Sequence, residues 1–308
     1  MSQIEHISVS YELTEHCNLR CSNCDHASPW MDDKFASLAD YERDIRALAE
    51  VMHVNAIYLC GGEPLLHPQF LDFLRVTKES GIADGTIIIS NGMLLHKMPE
   101  EAWDSIDAMV VSVYPDVRYR FDFNELHAVA RAHGSYLIRK ENNEFSKMLV
   151  NNRIEDPRLV RAIYKGCYAA TNCHTLYDGR YYKCSRAHTL QSRMAKIGKV
   201  VENRAVDGIA IHGNPNLRAE LEAYLRDDRP LKACEYCLGS FGRTENHVQL
   251  TKLTLKREQE EDHSKVADFL VPNLDLDHVT SAPPNDRNWW ESGSRDYELF
   301  STPQQTRG

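Results

Sequence analysis

Three thiols stand close together near the start of the chain. In TEHCNLRCSNCDH, Cys17, Cys21 and Cys24 are separated by three and then two residues. Thiolates are soft ligands for zinc and for iron–sulfur groups. A structural zinc ion takes four ligands, and here His16 or His26 would have to supply the fourth. A 4Fe-4S cluster is filled by four cysteines, so three leave one iron open to an exchangeable ligand. Three free thiols gathered by chance are the remaining reading. The segment that precedes them, HISVSYEL, alternates as a strand does, and ligands collect beyond the C-terminal ends of strands in parallel α/β sheets.

The composition narrows the setting. The chain has 308 residues, 42 % of them hydrophobic, and a formal net charge of −9, enough for one large domain or two smaller ones around a real core. No lysine- or arginine-rich run stands out, so neither nucleic acid nor an anionic membrane is expected as a partner. MSQIEHISVS has no charged n-region and no apolar h-region, so no signal peptide is expected, and no apolar run reaches the ~18 residues of a membrane span. Nine cysteines, at 17, 21, 24, 60, 167, 173, 184, 234 and 237, are an odd number, which argues against a disulfide framework. A cytoplasmic protein with reduced thiols is the expectation.

A second motif, YLCGGEPLLHP, places Gly61, Gly62, Glu63 and Pro64 after a short apolar run. Two glycines let the backbone approach a ligand closely, and Glu63 is able to accept a hydrogen bond from an ammonium group. Alone, such a turn is more often an ordinary strand-to-helix connection. Cys60, just before it, reads as a small buried hydrophobe.

The elements that must position these motifs alternate through the first half. HISVSYEL, NAIYLC, GTIIIS, AMVVSVY and SYLIRK read as strands. SLADYERDIRALAEVM, FLDFLRVTKES, a short stretch around PEEAWDSI, and FDFNELHAVARAH read as helices, with Gly81 and Gly134 as stops. Five or six such units imply a parallel sheet with crossover helices, too few for a closed eight-stranded barrel. From Gly166 the pattern changes. HTLYDGRYYKC predicts a hairpin turning at Asp178-Gly179, and PNLRAELEAYLRD predicts a helix before the pair CEYC.

CNLRCSNC and GGEP, each after a strand of a parallel sheet, together resemble the radical S-adenosylmethionine (SAM) superfamily over roughly residues 5–140. The resemblance implies an α/β fold, a partial (β/α)6 barrel over 1–165. It implies that Cys17, Cys21 and Cys24 hold a 4Fe-4S cluster whose open iron is chelated by SAM, and that Gly61, Gly62, Glu63 and Pro64 form the SAM turn. By the same resemblance Ser90 and Asn91 of ISNG, and Ser112 on the next strand, reach SAM, although polar residues at strand ends are more often plain turn residues. An electron from the cluster, delivered by a flavodoxin- or ferredoxin-type reductant, then cleaves SAM to a 5′-deoxyadenosyl radical that takes a hydrogen atom from the substrate. One departure is Asn23, where the family usually has an aromatic residue.

The later cysteines resemble the auxiliary-cluster domain called twitch, a short form of the SPASM domain, built from a β-hairpin and a helix and expected over 166–256. That resemblance implies a second 4Fe-4S cluster on Cys167, Cys184, Cys234 and Cys237, with Cys173 as the alternative to Cys167; a zinc knuckle is the bland alternative. The thiol left over, Cys173, is either a hydrogen-atom donor or a buried bystander. Residues 257–308 read as a polar tail, partly docked through Trp289 and Trp290. Chains of this size with one twitch domain resemble dehydrogenases and epimerases of aminocyclitols, aminoglycosides or nucleoside sugars. Asp25, His26, His67 and His188 are then candidate substrate groups, each more often a plain surface residue when taken alone. Two alternatives stand beside this reading: a radical SAM maturase of a ribosomal peptide, and a zinc-stabilised interaction module without activity, which has no use for GGEP.

Overall fold

The computed structural model describes residues 3–272, 274 and 297–299. Strand β1 (Ile4–Thr14) shows the alternation that organises the whole sheet. Val9, Tyr11 and Leu13 are buried on one face, Ser8, Glu12 and Thr14 on the other. The apolar set meets two helices, α1 (Leu38–Ala49) and α2 (Phe70–Ser80): the Tyr11 ring lies 4.3 Å from Tyr41, and Tyr41 lies 5.0 Å from Phe73. The Tyr41 hydroxyl is 2.6 Å from Thr77 Oγ1, so its buried polar end is satisfied. By alternation the polar set of β1 faces the opposite side, away from the helices.

The next strands are β2 (Met52–Gly61), β3 (Ala83–Ser90), β4 (Ala108–Val113) and β5 (Tyr136–Glu141), with α3 (Phe123–Ala132) before β5. They pair in parallel in the order β1-β2-β3-β4-β5. Helix boundaries follow the residue chemistry: the Ser37 and Asp122 side chains cap α1 and α3, and Gly81 ends α2 in the left-handed region. Around PEEAWDSI the expected short helix is of the 3₁₀ type, Glu100–Ser105.

A short strand β6 (Glu144–Ser146) leads to α4 (Pro157–Gly166) and α5 (Tyr168–Asn172). The expected hairpin is present as β7 (Thr175–Tyr177) and β8 (Arg180–Tyr182), with Asp178 and Gly179 at φ of 48° and 71°, the signs a type I′ turn requires. It does not stand apart. β7 pairs in parallel with β1, on the side away from β2. The sixth parallel strand of the sheet therefore joins the β1 edge and belongs to the hairpin. Next come α6 (Ser185–Ala195), α7 (Arg204–Asp207), β9 (Gly208–Ala210) beside β8, and α8 (Leu217–Arg226). The sheet order is completed by an antiparallel strand on β5, β11 (Tyr297–Leu299). The result is an open, mostly parallel sheet, a partial barrel. Among the described residues no helix is long and apolar enough to cross a membrane.

The expected break at 256/257 falls inside a helix. β10 (Thr244–Asn246) pairs with β6, and α9 (Lys252–Glu260) follows it. The segment after it is anchored by polar contacts that hydropathy does not register. Asn151 Nδ2 donates to the carbonyls of Glu258 at 2.9 Å and Glu261 at 3.0 Å, and the Asn151 N–H donates to His263 Nδ1 at 2.9 Å. His263 and Phe269 are buried. Trp289 and Trp290 lie outside the described residues. Replacing Asn151 by alanine leaves the last α9 carbonyls without their partner and is expected to cost about 1–3 kcal/mol, read as a lower urea midpoint and faster hydrogen exchange over 252–263. An unchanged midpoint and exchange rate would contradict this anchoring.

Candidate functional site

The first thiol group sits on the loop that leaves β1. Cys17 Sγ accepts from the Leu19 N–H at 3.3 Å and from Asn91 Nδ2 at 3.4 Å. Cys21 Sγ accepts from Gln249 Nε2 at 3.4 Å, and backbone N–H groups of Ser28 and His26 reach Cys24. Burial pushes the Cys17 and Cys21 thiols up to about 12, with Cys24 adding to both, and pushes the Cys24 thiol upward with Asp25 adding to it. N–H donors favour a thiolate at these sulfurs while burial opposes one, so a thiolate here calls for a cation nearby. An iron–sulfur cluster supplies that cation, and N–H donors to its sulfurs are among the features that tune it. The donor set therefore fits a cluster. Asn23, the departure from the family pattern, stands at φ 54°, a region asparagine tolerates better than an aromatic residue does. Its Nδ2 donates to Glu245 Oε2 at 2.9 Å.

The glycine turn abuts this loop directly. A Cβ on Gly62 would lie 1.9 Å from the His16 carbonyl oxygen, and one on Gly61, at φ +124°, would lie 2.4 Å from that of Thr14. The close approach the glycines permit is thus to the cysteine loop itself. Gly62 N–H donates to Thr14 O at 2.8 Å and Glu63 N–H to His16 O at 3.1 Å. The Glu63 carboxylate, read from sequence as an acceptor for an ammonium group, already accepts from Ser90 Oγ at 2.8 Å, Asn91 N–H at 2.8 Å and Leu65 N–H at 3.1 Å. Burial lifts its carboxyl to about 7 against the pull of those donors. Pro64 is buried at the head of a 3₁₀ turn, Pro64–Leu66.

Ser90 and Asn91 are therefore brought to the thiol loop, Ser90 through Glu63 and Asn91 through Cys17 and Asn18, whose Oδ1 accepts at 2.6 Å. Ser112 hydrogen-bonds the side chain of Tyr114, and Tyr114 lies within electrostatic reach of Cys17, Cys21 and Cys24. The Tyr114 ring stacks on His247 at 4.7 Å. Sequence patterning gave no sign of Tyr114, just past β4, or of Gln249 and His247, because the thiols they approach are distant in sequence.

The second thiol group gathers Cys167, Cys184, Cys234 and Cys237, every pair of which lies within electrostatic reach. Cys167 follows α4, Cys184 precedes α6, and the CEYC pair forms a 3₁₀ turn, Lys232–Tyr236. Gly239 is required here: its φ is +54° and a Cβ would come 3.1 Å from Cys167 Sγ. Cys173 faces Cys167 and Cys184, and also Arg186 and Asp25. Cys60 is buried on β2 opposite Glu12. Among the described residues no three Cys, His, Asp or Glu side chains are arranged to hold a single metal ion.

A cavity borders the first group and meets the second through Arg186, whose Nη1 lies 3.9 Å from Cys184 Sγ. Its lining includes Cys21, Cys24, Asp25, Trp30, Arg186 and Glu258. Lys147, Arg193, Glu261 and His263 add further charge. Arg193 stacks over Trp30 at 4.0 Å and donates to Asn151 Oδ1 at 2.7 Å. His263 Nδ1 accepts a backbone N–H, so its proton sits on Nε2 and is donated to Glu261 at 3.1 Å. Of the other candidates, His67 uses both ring nitrogens on backbone, Ala36 O and Gln69 N–H, and is structural. His26 Nδ1 and His188 Nε2 both meet Glu12 Oε1, at 2.9 and 3.0 Å. Glu12 was missed in the sequence; a carboxylate on the helix-distant face of a buried strand was the available signal.

The parallel sheet, with a thiol triad at the C-terminal end of its first strand and a glycine turn at the end of its second, defines the class. Residues 11–120 match the family model described as the radical SAM superfamily, and this stretch is a radical SAM domain. The family implies SAM and a 4Fe-4S cluster. The chain is 38 % identical over 88 residues to the tungsten-containing aldehyde ferredoxin oxidoreductase cofactor-modifying protein of Pyrococcus furiosus, 27 % of this chain and 23 % of that one. It is 31 % identical over 114 residues to GTP 3′,8-cyclase of Chlorobaculum tepidum, 37 % of this chain and 32 % of that one. The chain thus spans no more than a third of either relative. Among solved structures, BtrN in complex with AdoMet and 2-DOIA superposes with a TM-score of 0.48 at 16 % identity, over 77 % of this chain and 94 % of that one.

The Glu12 contact is testable by pH. Burial raises the Glu12 carboxyl, but His188 and His26 overcome it and hold it below the usual carboxylate range. Burial lowers His26, and Glu12 overcomes that to raise it. A raised histidine contributes stability below its unfolded value of ~6.5 and loses it as pH rises through the folded value. Glu12, depressed, contributes at every pH above ~4.5. Glu12→Gln is therefore expected to cost about 1.5–3 kcal/mol at pH 5.5 and less at pH 9, measured as the difference in urea unfolding from the parent. A difference independent of pH would contradict a charged Glu12–His26 pair.

Proposed function

We propose that this chain is a radical SAM enzyme with two clusters, acting on a small polyhydroxylated substrate such as an amino sugar, aminocyclitol or nucleoside. In this reading Cys17, Cys21 and Cys24 hold the first 4Fe-4S cluster, and Gly61, Gly62, Glu63, Pro64, Ser90, Asn91 and Ser112 shape the SAM site. Cys167, Cys184, Cys234 and Cys237 hold the second. When bound, SAM and the first cluster supply hydrogen-atom abstraction, and the second supplies an acceptor for the electron that dehydrogenation releases. A flavodoxin- or ferredoxin-type protein is the proposed reductant.

One observation carries the choice of dehydrogenation: a single cavity is lined both by Cys21 and Cys24 and by Arg186, whose guanidinium reaches Cys184. A substrate held there would touch the first thiol group and, through Arg186, approach the second. Charged and hydrogen-bonding side chains, Asp25, Lys147, Glu258 and Glu261, fill much of the remaining wall, which suits hydroxyl and amino groups better than an apolar ligand. The curated relative GTP 3′,8-cyclase acts, by its name, on a nucleotide, in keeping with a small polar substrate. Epimerisation is the second reading. It is favoured by Cys173, a thiol beside Asp25 and Arg186 and so close to two walls of the cavity.

Iron, sulfide and zinc content after anaerobic purification tests the core of the proposal. About eight irons per chain are expected, falling to about four when Cys17, Cys21 and Cys24 are all replaced by alanine. Cys167→Ala is expected to lower the iron content and Cys173→Ala to leave it unchanged. Zinc without iron, even after reconstitution, would overturn the reading.

A further inference from the structure

Helix α6 carries two arginines that are buried nearly completely, Arg186 and Arg193, each 5 % exposed. They are seven residues apart and so share a face. Arg193 is accounted for by Trp30 and Asn151. Arg186 is not. Its Nη2 pairs with Asp25 Oδ2 at 3.1 Å and its Nη1 lies 3.9 Å from Cys184 Sγ. Its Nε is buried and has no partner, and neither has the buried Asp25 Oδ1. Asp25 follows Cys24 directly, and both Asp25 and Arg186 line the cavity. Beyond Cys184, Arg186 is within electrostatic reach of Cys237 and Cys173. One guanidinium thus touches the carboxylate next to the first thiol group and a thiol of the second.

Placing an arginine there is costly. A buried cation needs partners that repay its lost hydration, and here a single carboxylate answers it, with one N–H left over. Four thiolates around a cluster bring the missing negative charge.

We infer that Arg186 is a positioning residue that sets the reduction potential of the second cluster. The inference rests on the proposal that Cys167, Cys184, Cys234 and Cys237 hold one. Arg186 makes and breaks no bond. It stands as a fixed positive charge beside the site that gains one electron and therefore one negative charge, which favours the reduced form and raises the potential. Asp25 acts in the opposite sense, partly neutralising the guanidinium. The unpartnered Nε–H of Arg186 and Oδ1 of Asp25 are left to a polar group in the cavity, so the residue facing the substrate is the one that biases the acceptor.

The test uses the full chain carrying Cys17, Cys21 and Cys24→Ala, so that a single cluster is left to titrate, with the midpoint potential read by EPR-monitored redox titration. Arg186→Met is expected to lower the potential by about 59 mV or more, a tenfold change in a one-electron equilibrium. Arg186→Lys is expected to stay near the parent, and Asp25→Asn to move the other way. Equal potentials in Arg186→Met and the parent would overturn the inference while leaving the cluster assignment intact. A parent without iron would instead remove the assignment on which it stands. Should Arg186→Met fail to hold iron, Asp25→Asn decides: a potential that does not rise overturns the inference.

Discussion

The site depends on one close approach of backbone to backbone. Where β1 ends, the Thr14 and His16 carbonyls receive the N–H groups of Gly62 and Glu63, with no room for a side chain between them. Thr14 Oγ1 adds bonds to the His16 and Glu63 carbonyls, both at 3.1 Å. This seam fixes the start of the cysteine loop to the end of β2. The Glu63 side chain then extends the seam to the end of β3 through Ser90 and Asn91, and Asn91 returns to Cys17. Three strand ends and one thiol are joined by hydrogen bonds whose buried members leave little slack. Support of this kind is what a cluster site on these thiols would require, because precision at a site comes from the groups that hold its ligands.

The outer wall of the cysteine loop comes from far along the chain. Ser22 N–H donates to Val248 O at 2.9 Å, Arg20 N–H to Gln249 Oε1 at 2.8 Å, and Ser22 Oγ to Glu258 Oε1 at 2.5 Å. The segment from β10 through α9 thus covers the loop and closes one side of the cavity. Glu12 performs the complementary task from inside the sheet, gripping His26, two residues past Cys24, and His188, four residues past Cys184. A buried carboxylate is tolerated because two imidazole N–H groups meet it. The two thiol groups are therefore tied to one strand as well as to one cavity.

Legibility divides along this line. Strands β1–β5 and helices α1, α2 and α3 were visible because their periodicity is set by burial against one another, and the Asp178-Gly179 turn because its dihedrals demand those residues. The first thiol group was visible as spacing, and the second as a resemblance to the twitch domain that left Cys167 and Cys173 open. The pairing of β7 with β1 was not, since a three-residue strand carries no period and its partner is more than 160 residues away. The docking of 252–270 was hidden for a different reason: α9 buries no side chain and is held through Asn151 and His263, so hydropathy marked it as tail. Glu12, Arg186 and Arg193 were missed because burial of a charge is decided by the partner, and the partners here, two histidines, an aspartate and a tryptophan, are distant in sequence.

Those buried charges point to a common logic in the cavity. Each thiol whose shift is resolved is pushed upward, toward its neutral form, with burial as the first cause. Each cation nearby has an acid within reach: Arg186 has Asp25, Lys147 has Glu261, and Arg193 has Glu258. The acids fall on the loop of the first thiol group and on the segment that covers it, while Arg186 and Arg193 come from the helix that follows Cys184. The cations and acids neutralise one another across the cavity. The arginines also lie within electrostatic reach of thiols on the α6 side, Arg186 of Cys184, Cys237 and Cys173, and Arg193 of Cys237.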